Sequence, residues 1–136
     1  MIPKEDYYKK LFLTGAIWNF AATLSFALGY KLMFHITGMA MPRYPSILMS
    51  FLALAFVFGI GYYWVYKDLH NNHAIVKLGI IGKILVFWFF FKAGRSGEIS
   101  WLLAGSGFVD LIYAILYTEF LMTYKKQVTQ TSQEPS

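Results

Sequence analysis

The chain contains no cysteine among its 136 residues. This absence excludes disulfides, thiolate metal ligands and cysteine nucleophiles. Charged residues are also scarce: they make up 14% of the chain, whereas a typical soluble domain has about 25%. Hydrophobic residues instead make up 57%, and much of this share falls in four long apolar runs. The composition therefore predicts an integral membrane protein.

The basic residues show no pattern typical of nucleic-acid binding. The net charge is +5, but the lysines and arginines stand in ones and twos between apolar runs, which is typical of topology determinants and phospholipid contacts. The connecting segments divide them into seven on one side (Lys4, Lys9, Lys10, Lys67, Lys77, Lys125 and Lys126) and four on the other (Lys31, Arg43, Lys92 and Arg95). Because basic residues are enriched on the cytoplasmic side, we expect a cell-membrane protein with both termini in the cytoplasm.

The apolar runs define four predicted spans at about 11–30, 46–66, 74–91 and 99–122. Each approaches the roughly 20 residues that a helix needs to cross a bilayer. The predicted fold is therefore all-α: an integral-membrane four-helix bundle of antiparallel up-down topology, in one domain at 1–126. Residues 127–136 are polar, and we expect them to form a disordered tail.

Two opposite charges occur inside the third and fourth spans. Lys83 lies 13 residues before Ser96, and Asp110 lies 13 residues after Gly97. In an antiparallel helical hairpin, equal distances from the turn mean equal depth. An unpaired charge at mid-membrane costs roughly 2.5–3.5 kcal/mol on insertion scales. The spacing therefore predicts a buried Lys83–Asp110 ion pair.

Two further polar residues belong to the same predicted layer. Asn19 is the strongly polar residue of the first span, and Ser106 stacks with Asp110 at four-residue spacing. Counting along the hairpins places Asn19 near the depth of residues 59–61 and of Lys83. An interhelical hydrogen bond and a ligand contact both remain open for Asn19. The candidate ligand-binding or ion-coupling residues are Asn19, Lys83, Ser106 and Asp110.

A second group of polar residues is predicted at the cytoplasmic mouth of the bundle, namely Asp68, His70, His73 and Glu119. The hairpin counting puts Glu119 at the depth of His73, so we expect the four residues to lie close together. His70 and His73 have a spacing that suits metal binding, but the segment offers no firm fourth ligand. We therefore expect a polar, capping loop with no metal and no cofactor.

The layout of residues 8–124, with four spans and glycine-containing helices, resembles the small four-helix bacterial membrane proteins of the DoxX-like type. The resemblance lies in length and span arrangement, since no stretch such as DLHNNHAIVKLGIIGK matches a signature of that group. It implies a four-helix bundle, and some members of the group are tied to respiratory or redox complexes. It carries over no catalytic residue.

Three functional hypotheses remain at the level of sequence. The first is a non-enzymatic accessory or lipophilic-ligand-binding module that contains the buried pair. The second is an oligomeric small transporter or proton relay that uses Lys83 and Asp110. The third is a membrane enzyme that acts on a lipophilic substrate through acid–base residues. The expected partners are membrane lipids and not nucleic acid, and a homo-oligomer or a larger membrane complex is left open.

Overall fold

A computed structural model describes residues 4–133 of the chain. It consists of four helices: α1 at Glu5–Thr37, α2 at Pro45–Lys67, α3 at His73–Ser96 and α4 at Trp101–Gln133. No strand occurs within residues 4–133. All four helices are long and apolar enough to cross a membrane, α4 over Trp101–Lys126. The predicted all-helical class with four membrane-capable helices is confirmed.

Local chemistry explains where the helices begin and end. Gly38 and Gly97 follow α1 and α3 with φ of +70° and +80°, a left-handed conformation that glycine adopts without steric cost. Pro45 opens α2, where its missing N–H costs nothing. Asn72 is the residue before α3, but its side chain makes no hydrogen bond that caps this helix. It donates to the carbonyls of Trp64 and Asp68, both at 3.0 Å. The asparagine thus ties the loop to the end of α2.

Helices α1, α3 and α4 extend beyond the apolar runs that predicted them. α1 spans Glu5–Thr37, against the predicted 11–30, and α3 continues to Ser96. Hydropathy marks the part of a helix that suits lipid, whereas helix ends follow caps and breakers. The segment after residue 30 contains no such breaker before Gly38.

The last helix continues into the segment from residue 127 that was predicted to be a disordered tail. α4 runs without interruption to Gln133. After Gly107 no glycine or proline interrupts the chain before Pro135, so nothing stops the helix where the apolar run ends. Residues 134–136 lie outside the described part of the chain.

The helices pack as two pairs, α1 with α2 and α3 with α4. The pairs meet chiefly in the half of the bundle that holds both chain ends. There, Phe12 stacks on Tyr117 with ring centroids 4.5 Å apart, and Phe120 meets Phe12 edge-on at 5.1 Å. The aromatic core, as we call this cluster, comprises Tyr8, Leu11, Phe12, Ala16, Tyr62, Val65, Leu69, Val76, Tyr117 and Phe120. It draws residues from all four helices.

Candidate functional site: a polar centre beneath an apolar cavity

Lys83 of α3 and Asp110 of α4 form the predicted ion pair. Lys83 Nζ donates to Asp110 Oδ1 at 2.6 Å. The Lys83 side chain is 5% exposed and that of Asp110 is 18% exposed. Removing two charges from water is costly, and short, direct pairing is what offsets that cost. The counting from the α3–α4 turn therefore identified a real contact.

Asn19 connects this ion pair to the other helix pair. Lys83 Nζ also donates to Asn19 Oδ1 at 3.2 Å, and Asn19 Nδ2 donates to the carbonyl of Ala55 at 2.9 Å. Gly59 permits this approach, because a Cβ there would lie 3.2 Å from Asn19 Cβ and closer still to Phe20. Asn19 therefore makes interhelical hydrogen bonds, which is one of the two roles that the sequence left open for it. We call Asn19, Lys83 and Asp110 the polar centre.

Two tyrosines complete the surroundings of the ammonium group. Lys83 Nζ lies 5.2 Å from the ring centroid of Tyr62 and 5.4 Å from that of Tyr113. At these distances a ring face attracts a cation. Neither contact was predicted from the sequence. Tyr113 follows Asp110 by three residues and therefore lies on the same face of α4. This spacing could have predicted that Tyr113 lies near Lys83.

A cavity of about 900 Å³ extends from the polar centre through the other half of the bundle. All four helices line it, and most of its wall is apolar, as with Trp18, Phe58 and Phe90. Ligand pockets in proteins typically measure roughly 300–1,000 Å³ and combine apolar walls with a few polar groups. The dimensions and the lining of this cavity are those of a small-molecule site.

The cavity reaches the outer surface of the bundle. Leu54 of α2 and Phe89 of α3 line it, and both are exposed. This part of the cavity wall faces lipid if the helices cross a bilayer. At the far end, the Ser100 backbone N–H lies 3.1 Å from Met39 Sδ, which links the α3–α4 turn to the α1–α2 connection.

Ser106, the fourth candidate of the polar layer, also lines the cavity. Its hydroxyl donates to the carbonyl of Leu103 at 2.7 Å, within its own helix. Ser106 is therefore part of the wall, whereas Asn19, Lys83 and Asp110 form the connected polar centre.

The four residues predicted at the cytoplasmic mouth contact different partners, and their closeness to one another stays a prediction. Glu119 accepts a hydrogen bond from Tyr8 Oη at 3.0 Å, and so faces α1. His70 and His73 instead contact Tyr124: His70 Nδ1 lies 2.7 Å from its hydroxyl, and the His73 ring centroid lies 4.4 Å from that of Tyr124. Equal depth was a sound inference, but Glu119 lies about 100° around the helix from Phe120, which contacts His73.

Asp68 belongs to the loop that joins α2 and α3. The Asn71 side-chain amide and the His70 backbone N–H donate to its carboxylate at 2.7 and 3.0 Å, and they hold the pKa of Asp68 below its ordinary value. His73 Nε2 donates to the carbonyl of Leu69 at 2.7 Å. Within residues 4–133 no group of three or more His, Asp or Glu residues is arranged to hold a metal ion. These polar side chains cap and brace the loop.

One buried hydroxyl lies in the aromatic core, where α1 passes α4. Tyr117 Oη has no hydrogen-bond partner among the described residues. Gly15 faces it so closely that an added Cβ would overlap the hydroxyl oxygen. Gly15 therefore permits the contact between α1 and Tyr117.

The sequence matches no protein-family model, and neither the curated proteins nor the solved structures give a match to the chain. Arguments about its function therefore start from the site itself. That site consists of an apolar cavity, an opening towards the bundle exterior, and a compact polar centre at its inner end.

Proposed function

We propose that the chain is an integral membrane protein that binds a lipophilic molecule in the cavity between its two helix pairs and performs no catalysis. The observation that carries this proposal is the cavity of about 900 Å³ ending at the polar centre. An apolar body fits the walls, and Lys83 and Asp110 offer polar atoms where the walls end. The ligand would enter from the bilayer through the opening at Leu54 and Phe89.

The proposal includes an antiparallel up-down arrangement with both termini in the cytoplasm of a cell-membrane protein. The order of the contacts between α3 and α4 supports it, because Lys83 meets Asp110 while Gly94 meets Ala104. The seven-to-four division of basic residues supports the orientation. In this arrangement the aromatic core lies in the cytoplasmic half, and the cavity opens in the opposite half. Membrane lipids surround the bundle, and assembly with further copies or other subunits stays a prediction.

Binding suits the structure better than transport does. The aromatic core fills the other half of the bundle with side chains such as Phe12, Tyr117 and Phe120, all of them buried. A transport path would have to cross this packed half. An enzyme would need a group to attack or deprotonate the substrate, but Lys83 is already engaged by Asp110 and Asn19. The layout shared with DoxX-like proteins stays a resemblance and adds no activity to the proposal.

Two glycine substitutions test the proposal as a matched pair. Gly82 lines the cavity, and Gly105 does not; an added Cβ meets no atom within 4 Å at either position. Gly82→Leu therefore fills cavity space without a steric clash, and Gly105→Leu adds the same side chain elsewhere. Both variants and the unaltered chain are purified in mild detergent, and the small molecules that co-purify are quantified by mass spectrometry.

We expect one apolar species to co-purify in near-stoichiometric amount with the unaltered chain and with Gly105→Leu. Its amount should fall at least several-fold with Gly82→Leu, while the yield of folded protein remains similar. Equal retention by both variants, or a purified chain that carries only the bulk lipids of the membrane, contradicts binding in the cavity.

A further inference from the structure

The polar centre limits what kind of head group a ligand can have. Lys83 already directs its ammonium group at Asp110 Oδ1 and Asn19 Oδ1. The rings of Tyr62 and Tyr113 cover much of the remaining surface around Nζ. An ammonium group has three donors, so little of its hydrogen-bonding capacity remains for a ligand.

Asp110, unlike Lys83, has hydrogen-bonding capacity left for a ligand. It lines the cavity and is the more exposed member of the ion pair, at 18% against 5% for Lys83. Oδ1 accepts the hydrogen bond from Lys83, whereas Oδ2 accepts none from the described residues. An ionised carboxylate has room for several hydrogen bonds. The polar atom most available to a ligand is therefore an acceptor, and its complement is a hydrogen-bond donor.

The charges of Lys83 and Asp110 further restrict the kind of head group that a ligand can have. The two members of the ion pair cancel, so the cavity floor has no net charge to offer. A cationic head group would compete with Lys83 for Asp110, and an anionic one would meet the carboxylate directly. Either would place an uncompensated charge in an apolar site, which is strongly unfavourable. A neutral donor avoids this cost.

We propose that the cavity selects an apolar molecule ending in a neutral hydroxyl group, which donates to Asp110 Oδ2. The chemical class is that of lipophilic alcohols and phenols. This inference rests on the proposed binding function and adds to it the identity of the recognised group. Asn19 and Lys83 act as positioning residues, because they hold the carboxylate in place.

Trp18 supplies a reporter inside the cavity wall. The other tryptophans, Trp64, Trp88 and Trp101, are exposed on the bundle surface, and changing each to Phe leaves Trp18 as the single indole. This variant is reconstituted in zwitterionic lipid nanodiscs. Four probes with the same mid-chain-brominated C16 chain are then titrated: the primary alcohol, its methyl ether, the carboxylic acid and the primary amine. Bromine quenches indole fluorescence at short range, and the methyl ether controls for partition into the lipid.

We expect the alcohol to quench Trp18 at a membrane concentration about tenfold or more below that of its ether, because a hydrogen bond to a charged group is lost in the ether. The acid and the amine should be weaker than the alcohol. In the Lys83→Met/Asp110→Leu double variant, the alcohol and the ether should quench equally.

Equal quenching by alcohol and ether with the ion pair intact overturns the hydroxyl assignment, as does a preference for the acid or the amine. In those cases binding in the cavity still stands. If no probe quenches Trp18 saturably, the proposed function fails together with this inference. The probe series with the ion pair intact decides the question alone, so the inference remains testable if the double variant does not fold.

Discussion

Lys83 is a charged residue deep in a helix that is long and apolar enough to cross a membrane. A lone lysine at mid-membrane costs roughly 2.5–3.5 kcal/mol on insertion scales. Here Asp110 compensates the charge at 2.6 Å, Asn19 accepts a second hydrogen bond, and the faces of Tyr62 and Tyr113 enclose the rest of the ammonium group. These partners come from α1, α2 and α4, so the lysine, itself on α3, contacts residues of all three other helices.

The first prediction concerns the energy of this ion pair. Lys83→Met and Asp110→Leu each leave a buried charge without its partner, and we expect each to lower the free energy of unfolding by about 3–5 kcal/mol. The double variant removes both charges and should recover most of that loss. Reversible unfolding in mixed detergent micelles measures the free energy of unfolding of all three variants.

Lys92→Met is the matched control, because Lys92 belongs to the same helix and is exposed. This change should have little effect on stability. If each single change at Lys83 and Asp110 lowers the free energy of unfolding as little as the control does, the ion pair does not contribute to stability.

At the scale of the helices, small residues decide how closely neighbours approach. A Cβ at Gly79 would lie 2.7 Å from the Tyr62 ring, and one at Gly94 would lie 3.0 Å from Ala104 Cβ. Without water to drive burial, helices in membranes associate through such close contacts. The glycines that make them are spread over all four helices, so the pairing of helices depends on a few positions in each.

The second prediction uses two glycines of α1. Gly15 faces Tyr117, and an added Cβ would overlap its hydroxyl oxygen, whereas a Cβ at Gly29 meets nothing within 4 Å. Gly15→Ala should therefore destabilise the bundle by about 1–3 kcal/mol, since overpacking forces the tyrosine to move. Gly29→Ala should leave stability unchanged or raise it slightly, because alanine favours the helix. Thermal unfolding compares the stability of the two variants directly. Equal changes in stability would contradict the close approach of α1 and α4.

The helices also show what the sequence was able to predict. Hydropathy identified the four helices because it depends on local composition, and counting from the α3–α4 turn identified the Lys83–Asp110 contact because the rise per residue of a helix is fixed. The same counting gave a depth for Glu119 but not the face of α4 that it occupies, and its hydrogen bond from Tyr8 turns it towards α1. Helix ends beyond the apolar runs were missed because they depend on caps such as Gly38.

At the scale of the whole molecule, the bundle has two unlike halves. One half is filled by the aromatic core, and the other holds the cavity of about 900 Å³. The sequence did not predict this asymmetry. The separation of the two helix pairs depends on packing between residues far apart in the chain, which the pattern of apolar runs does not specify. The polar centre lies where the two halves meet.

The third prediction concerns orientation in the membrane, and the absence of cysteine makes it simple to test. Ser96→Cys and Ser132→Cys each introduce a single thiol at an exposed position at opposite ends of the bundle. With both termini in the cytoplasm, an impermeant thiol reagent applied to intact cells should label position 96 and not position 132. Labelling of both after permeabilisation is the control. The reverse pattern in intact cells would invert the bundle.

Occupation of the cavity is measured most directly by photolabelling in a bilayer. The purified chain is reconstituted with a trace of a long-chain lipid analogue that carries a mid-chain diazirine, then irradiated and mapped by peptide mass spectrometry. We predict saturable labelling at Trp18, Phe58 and Phe90, which unlabelled analogue suppresses, and only non-saturable labelling at outward side chains such as Leu28 and Ile115. Labelling confined to the outward side chains, with none that saturates at the cavity wall, would contradict a lipophilic-ligand site between the helix pairs.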